Sequence, residues 1–256
     1  MSPLSESELE RYSRQLVLPE WSGAAQERLK AASVIVVGLG ALGSPVATYL
    51  AAAGVGHLGV VDEDTVELSN LHRQPLHFTP DLGLNKAVNA SVKLSALNTE
   101  TVVDPYPVRL EAMNAEAIVT GADLVVDCSD SFATRYLVND ACCAQGIPLV
   151  EAGVLGFGGL VMSIRPGESA CYRCAFPVEP ANAPSCRDAG VLGAMAGVVG
   201  SIQALEALKL LTGVAEPLTD AILQVDGASM AFTRVGTERR PDCPSCARVP
   251  ATSQSV

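Results

Sequence analysis

The sequence predicts an α/β protein: a Rossmann-like, doubly wound and mostly parallel sheet, with an antiparallel portion toward the C-terminus. Three observations carry this. Short apolar runs without polar alternation recur, as in Ser33 to Val37 (S-V-I-V-V) and Asp123 to Cys128 (D-L-V-V-D-C), the pattern of strands covered on both faces. Helical stretches separate these runs, as right-handed crossovers require. Directly after the first run comes G-L-G-A-L-G, with Gly38, Gly40 and Gly43, a turn opening a helix.

The elements follow in order. Residues 1–30 form an N-terminal helical arm, with Arg11 and Arg14 one turn apart and Tyr12 and Trp21 packing it down. The strand Ser33 to Val37 leads through the glycines into an alanine-rich helix ending near Ala53. His57 to Val61 is the second strand and ends at Asp62. Thr101 to Val103 is a weaker third strand, and Ala112 to Val119 a helix. Asp123 to Cys128 is the next strand, followed by a helix from Phe132 to Gln145. Leu149 to Val150 and Leu160 to Ile164 read as further strands. The stretch Ala175 to Ser185 holds three prolines and no periodicity, so residues 175–189, with Cys186, are expected to be a mobile exposed loop. A long helix follows from Gly190 to Leu211, with Gln203, Glu206 and Lys209 as its polar stripe. Asp226-Gly227, between Ala221 to Val225 and Ser229 to Val235, signals a hairpin. With no internal repeat, the 256 residues read as a single domain.

Composition narrows the function. Hydrophobic residues make up 48% of the chain, enough for a sizeable core and too many for wholesale disorder. A formal charge of -11 argues against gripping nucleic acid or an anionic membrane. The longest uncharged stretch, Ala189 to Leu205, is 17 residues and falls short of a bilayer span, and no signal peptide opens the chain. The expectation is a soluble, cytoplasmic protein.

Four of the eight cysteines form two C-x-x-C pairs, Cys171/Cys174 and Cys243/Cys246. Both pairs lie in loop-like sequence among Pro, Arg and Asp. Each can present two thiolates, and four thiolates suit a tetrahedral structural zinc. A redox pair, or two unrelated pairs, are the alternatives. Zinc would tie the chain's end to its middle, because 68 residues separate the pairs. Cys128, Cys142 and Cys143 fall in a strand and a helix and read as core.

The glycine turn and the helix N-terminus behind it offer N–H groups to a phosphate. Asp62, 19 residues after Gly43, stands where an acid holds a ribose hydroxyl. This does not separate a nicotinamide cofactor from ATP. The next residues do: D-E-D-T-V-E-L-S-N-L-H-R-Q, from Asp62 to Gln74, supplies Asn70 and Arg73, and Lys86 follows. A dehydrogenase has no use for converging cations, whereas a triphosphate does. Asp130, just past the strand Asp123 to Cys128, places an acid beside those phosphates and suggests Mg2+.

Together these segments resemble the MoeB/ThiF family, bacterial relatives of ubiquitin-activating enzymes. The resemblance runs through R-Y-S-R-Q-L (11–16), the glycine turn, V-D-E-D-T-V-E-L-S-N-L-H-R-Q, D-C-S-D (127–130), C-Y-R-C-A-F-P (171–177), P-S-C-R-D-A-G-V-L-G (184–193) and the closing C-P-S-C. It implies that the C-terminal Gly carboxylate of a small ubiquitin-like sulfur-carrier protein, ending in Gly-Gly, is activated by ATP as an acyl adenylate, with release of pyrophosphate. Thiamine, molybdopterin and tRNA-thiolation pathways use such activators. On this resemblance Asp62 holds the ribose and Gly40 lies against the nucleotide. Asn70, Arg73 and Lys86 contact phosphates, Asp130 binds Mg2+, and Cys171, Cys174, Cys243 and Cys246 hold Zn2+. Arg14 reaches into the neighbouring subunit's site, so the resemblance implies a homodimer. Gln74 has no independent role.

Cys186 has Arg187 beside it, and a neighbouring cation favours the thiolate. In some branches of the family a cysteine here joins the carrier covalently; an ordinary exposed thiol is the alternative. Arg187-Asp188 and Ala194 depart from the family's usual residues at this loop. No rhodanese-like extension follows Cys246, so the sulfur donor, a cysteine desulfurase or a rhodanese, is expected to be a separate protein. Other readings are an ATP-dependent tRNA threonylcarbamoyladenosine dehydratase of the same superfamily, a NAD-dependent dehydrogenase and a non-catalytic subunit.

Overall fold

A computed structural model describes residues 3–179, 190–247 and 249. Cys186 and most of the loop expected at 175–189 lie outside the described residues. The strands are β1 (Ser33–Val37), β2 (His57–Val61), β3 (Val102–Tyr106), β4 (Leu124–Asp127), β5 (Leu149–Leu155), β6 (Gly158–Ile164), β7 (Ala221–Asp226) and β8 (Ala231–Gly236). They form one sheet in the order β3-β2-β1-β4-β5-β6-β7-β8. The pairs from β3 to β5 are parallel, and those from β5 to β8 are antiparallel.

Alternate residues along β1 explain the layering. Val34 and Val36 face a core shared with the helices α3 (Gly23–Ala31), α4 (Gly43–Ala53), α5 (Lys86–Leu97) and α9 (Gly193–Thr212). Ile35 and Val37 face a second core with α6 (Ala115–Val119), α7 (Phe132–Gln145) and α8 (Tyr172–Ala175). Both faces are covered, which is why the strands read as unbroken apolar runs. The N-terminal arm is α1 (Glu6–Arg11) and α2 (Ser13–Leu16), followed by α3. Asn98 donates to the buried Tyr12 hydroxyl, and the Trp21 indole N–H donates to Gln26.

Several elements differ from the sequence expectation, three of them instructively. The third strand runs on through Asp104 and Pro105, because β3 is the sheet edge and an edge tolerates a residue without an N–H. Helix α5, absent from the sequence reading, is opened by Asn85, whose side chain accepts from the Val88 N–H at 3.1 Å. The β7–β8 hairpin has Asp226 opposite Ala231, with Asp226 accepting from the Ala228 N–H and the Ser229 hydroxyl.

The polar stripe of α9 points inward. Gln203 donates to the carbonyls of Asp127 and Val150, so the helix holds the ends of β4 and β5. Glu206 accepts from the Ser163 hydroxyl at 2.8 Å and the Leu218 N–H at 2.6 Å, with Lys209 also in contact. By length and composition α9 could cross a membrane, yet here it packs on α3, α4 and strands β4 to β6. Glu206→Ala leaves the buried Ser163 hydroxyl and the half-buried Leu218 N–H without this partner and should cost about 3 kcal/mol in a urea unfolding experiment. A change under about 0.5 kcal/mol would show that water replaces the carboxylate there.

Candidate active site

The strand order reverses between β1 and β4, and the glycine turn sits at the carboxyl end of that gap. Gly38 has φ +87°, and a Cβ on it would lie 3.0 Å from the Cys128 carbonyl oxygen. A Cβ on Gly43 would collide with the Gly38 carbonyl. The N-terminus of α4 is thereby drawn against the ends of β1 and β4, with its N–H groups toward the opening.

Asp62 ends β2 and reaches the turn. One carboxylate oxygen accepts the Leu39 N–H at 2.7 Å and the other the Asp64 N–H at 2.9 Å. Burial raises its pKa, opposed by the nearby charge of Lys86. Lys86 is only 4% exposed, and its Nζ lies 2.9 Å from the Asp64 carboxylate. It is delivered there by Asn85, whose amide donates to the carbonyls of Asp62, Glu63 and Asp64. Asp62 and Lys86, 24 positions apart, thus share one rim of the site.

The Asn70–Gln74 segment forms the next wall. The Asn70 carboxamide is buried and accepts the Glu67 N–H at 3.2 Å. Arg73 donates to the Ser69 carbonyl at 2.8 Å, and the start of α9 at Gly193 packs on its backbone. Gln74, which had no role at the level of sequence, lies with its amide nitrogen 3.5 Å from where a Gly40 Cβ would be. Its Oε1 is buried and has no hydrogen bond among the described residues, as is true of the hydroxyl of Ser44 in the first turn of α4. Two orphaned polar atoms beside a helix N-terminus suit a polar ligand there.

His77 is a residue the sequence reading missed. Asn89 on α5 donates to its Nδ1 at 2.8 Å, leaving Nε2 to donate to the Leu39 carbonyl at 3.1 Å. Burial lowers its pKa, so a neutral imidazole braces the glycine turn. Across the opening, Asp127 accepts the Ser129 N–H at 2.8 Å, and the next residue, Asp130, is exposed. No hydrogen bond or ion pair of its side chain occurs among the described residues. Ser131 then caps α7 by accepting the Thr134 N–H.

Arg14 is not part of this chain's own constellation. Its neighbours Tyr12 and Gln15 are tied to Asn98 and to the Ala53 carbonyl, at the far end of α4. Eleven helical residues span about 16 Å. Arg14 itself is exposed.

The four paired cysteines meet on the α7 side of the sheet. All are buried, and their sulfurs lie within 4.8 Å of one another. Sγ–Sγ distances are 3.8 Å for Cys171–Cys174, and 3.5 Å for both Cys171–Cys243 and Cys174–Cys246. A tetrahedral zinc with bonds near 2.3 Å places its sulfurs about 3.8 Å apart, so the set fits that ion. The Arg240 N–H points at the Cys174 sulfur from 3.3 Å.

Comparison with known proteins bears on all of this. The model of the ThiF family matches residues 12–245. The chain belongs to the ThiF family. It is 48% identical to the sulfur carrier protein adenylyltransferase of Thermus thermophilus, over 98% of this chain and 96% of that protein. It is 45% identical to the SAMP-activating enzyme E1 of Haloferax volcanii, over 95% and 90%. The adenylyltransferase and sulfurtransferase MOCS3 of Sus scrofa is 46% identical, but this chain spans 56% of its length. Among solved structures, E. coli MccB with ATP superposes with a TM-score of 0.83 at 25% identity, over 93% of this chain and 74% of that one.

One equivalent of zinc per chain is expected by elemental analysis of the purified protein, and a strong chelator should lower its melting temperature. A chain free of zinc and indifferent to chelator would contradict the assignment.

Proposed function

We propose that this chain is an ATP-dependent sulfur-carrier protein adenylyltransferase, forming an acyl adenylate on the C-terminal glycine of a ubiquitin-like carrier ending in Gly-Gly. The observation that carries the reading is its near-full-length similarity to a sulfur carrier protein adenylyltransferase, at 48% identity, and to a SAMP-activating enzyme E1, at 45%. The constellation of Asp62, Arg73, Lys86 and Asp130 around the glycine turn supports it.

The chemistry follows from the positions of these groups. A carboxylate is a poor acyl donor, since oxide is a poor leaving group. When a carrier carboxylate oxygen attacks the α-phosphorus of ATP, a new P–O bond forms. The bond to the bridging oxygen breaks, and pyrophosphate leaves with its electron pair. No net proton transfer is needed. Asp62, already oriented by the Leu39 and Asp64 N–H groups, has the position to take the ribose hydroxyls. Gly40 offers bare backbone to the nucleotide, and Gln74 offers its unpartnered oxygen. Asn70, Arg73 and Lys86 line the phosphate side, the two cations offsetting the charge that builds on the leaving group. Lys86 does so from a dry position, where its charge acts through little solvent.

Asp130 is the residue for Mg2+: an exposed carboxylate, without a protein partner among the described residues, at the carboxyl end of β4. That ion would neutralise phosphate oxygens as pyrophosphate departs. Arg14, held at the far end of α4, completes the site of a second subunit, so the working unit is a homodimer. Cys186, outside the described residues, is proposed as the thiol able to join the carrier covalently. The sulfur donor is a separate protein, thiamine, molybdopterin or tRNA thiolation are the pathways such a carrier serves, and the setting is the cytoplasm.

Arg14→Ala and Asp130→Ala should each abolish carrier-dependent ATP–pyrophosphate exchange while leaving the fold intact. If the two act from different subunits, co-refolding equal amounts of both variants should restore about a quarter of wild-type activity, since half the dimers then hold one complete site. No recovery would place both residues in one subunit's site or remove one from the reaction.

A further inference from the structure

Beneath the Asp127–Asp130 turn lies a buried charged cluster that the adenylation chemistry leaves unused. Asp127 ends β4, and the register sets it beside Glu151 on β5; both are 0% exposed. Arg135 comes from the first turns of α7, and its Nε lies 3.4 Å from a Glu151 oxygen. Among the described residues no hydrogen bond reaches Asp127 Oδ2, either oxygen of Glu151, Arg135 Nε or the Ser129 hydroxyl. Burial raises the pKa of both carboxyls, Glu151 furthest, and the charge of Arg135 opposes the rise in each.

Such a cluster is a poor way to stabilise a fold, because apolar residues of the same volume serve as well or better. Its geometry points elsewhere. Arg135 donates through a terminal nitrogen to the carbonyl of Ser129 at 3.2 Å, the residue that precedes Asp130. The guanidinium also lies across the bare backbone of Gly153, where an added Cβ would stand 2.9 Å from its Nη1. Glu151 and Gly153 follow each other on the same face of β5 and together seat this one side chain.

We infer that Arg135 is a positioning residue: seated by Glu151, Asp127 and Gly153, it holds the Ser129 carbonyl and so sets where Asp130 meets the nucleotide phosphates and their divalent cation. This rests on the proposed role of Asp130. A lysine cannot substitute, because one ammonium does not present a fork that engages Glu151 and the Ser129 carbonyl together. An alanine at 153 pushes the guanidinium aside while every charged group stays in place.

The test measures binding of a non-hydrolysable ATP analogue by calorimetry, with Mg2+ and in magnesium-free buffer; no chelator is used, since it would also take zinc. The readout is the ratio of the two affinities, with circular dichroism confirming the fold. For Arg135→Lys the magnesium advantage should fall on the order of tenfold, with magnesium-free affinity within about twofold of wild type. Gly153→Ala should lower the ratio in the same direction by less, which keeps the inference testable if the lysine variant does not fold. Wild-type ratios in the folded variants would overturn the inference, and so would equal losses with and without Mg2+, which indicate a merely structural role. A wild-type protein with no magnesium advantage, or an Asp130→Ala variant that keeps it, would instead overturn the role of Asp130 and this inference with it.

Discussion

The site depends on a contact between backbones that leaves no room for side chains. Gly43 lies on the carbonyl of Gly38, and Gly38 lies on the carbonyl of Cys128. That double approach brings the start of α4 to the gap between β1 and β4, where the strand order reverses. Once it is made, the Leu39 N–H faces Asp62 and the Leu39 carbonyl faces His77, so both polar groups of one residue brace the turn. A methyl group on Gly43 would part the helix from the strands and release both braces together.

Around this point the chain builds its walls from distant segments. The 62–66 stretch pairs with 83–86 and carries Lys86 to the rim. The start of α9 backs the Arg73 segment, while farther along the same helix Gln203 holds the ends of β4 and β5. The four-cysteine cluster is elsewhere, between α8 and the chain's last described turn. It brings the segment after β8 against the helix-covered face, whose α7 opens beside Asp130.

What the sequence made legible follows burial. β1, β2 and α7 match their expected bounds residue for residue, because each is marked by an apolar run or a cap and ends at a glycine or an acid. The places of Asp62 just past β2 and of Asp130 just past β4 were legible for the same reason. β5 was expected at two residues and has seven, since buried Glu151 and Gly153 interrupt its apolar pattern. Helix α5 escaped notice because its buried face is mostly small: Ala87, Ala90 and Leu94. Arg135, His77 and Asn89 were illegible on physical grounds. Their meaning lies in register and packing between segments, which spacing along one chain does not carry.

The most direct test of adenylation is intact-mass analysis of a Gly-Gly carrier after incubation with this protein, ATP and Mg2+. The account predicts a carrier bearing one AMP, formed with release of pyrophosphate and absent when the carrier's last glycine is removed. Carriers that stay unmodified while the protein binds ATP would contradict it.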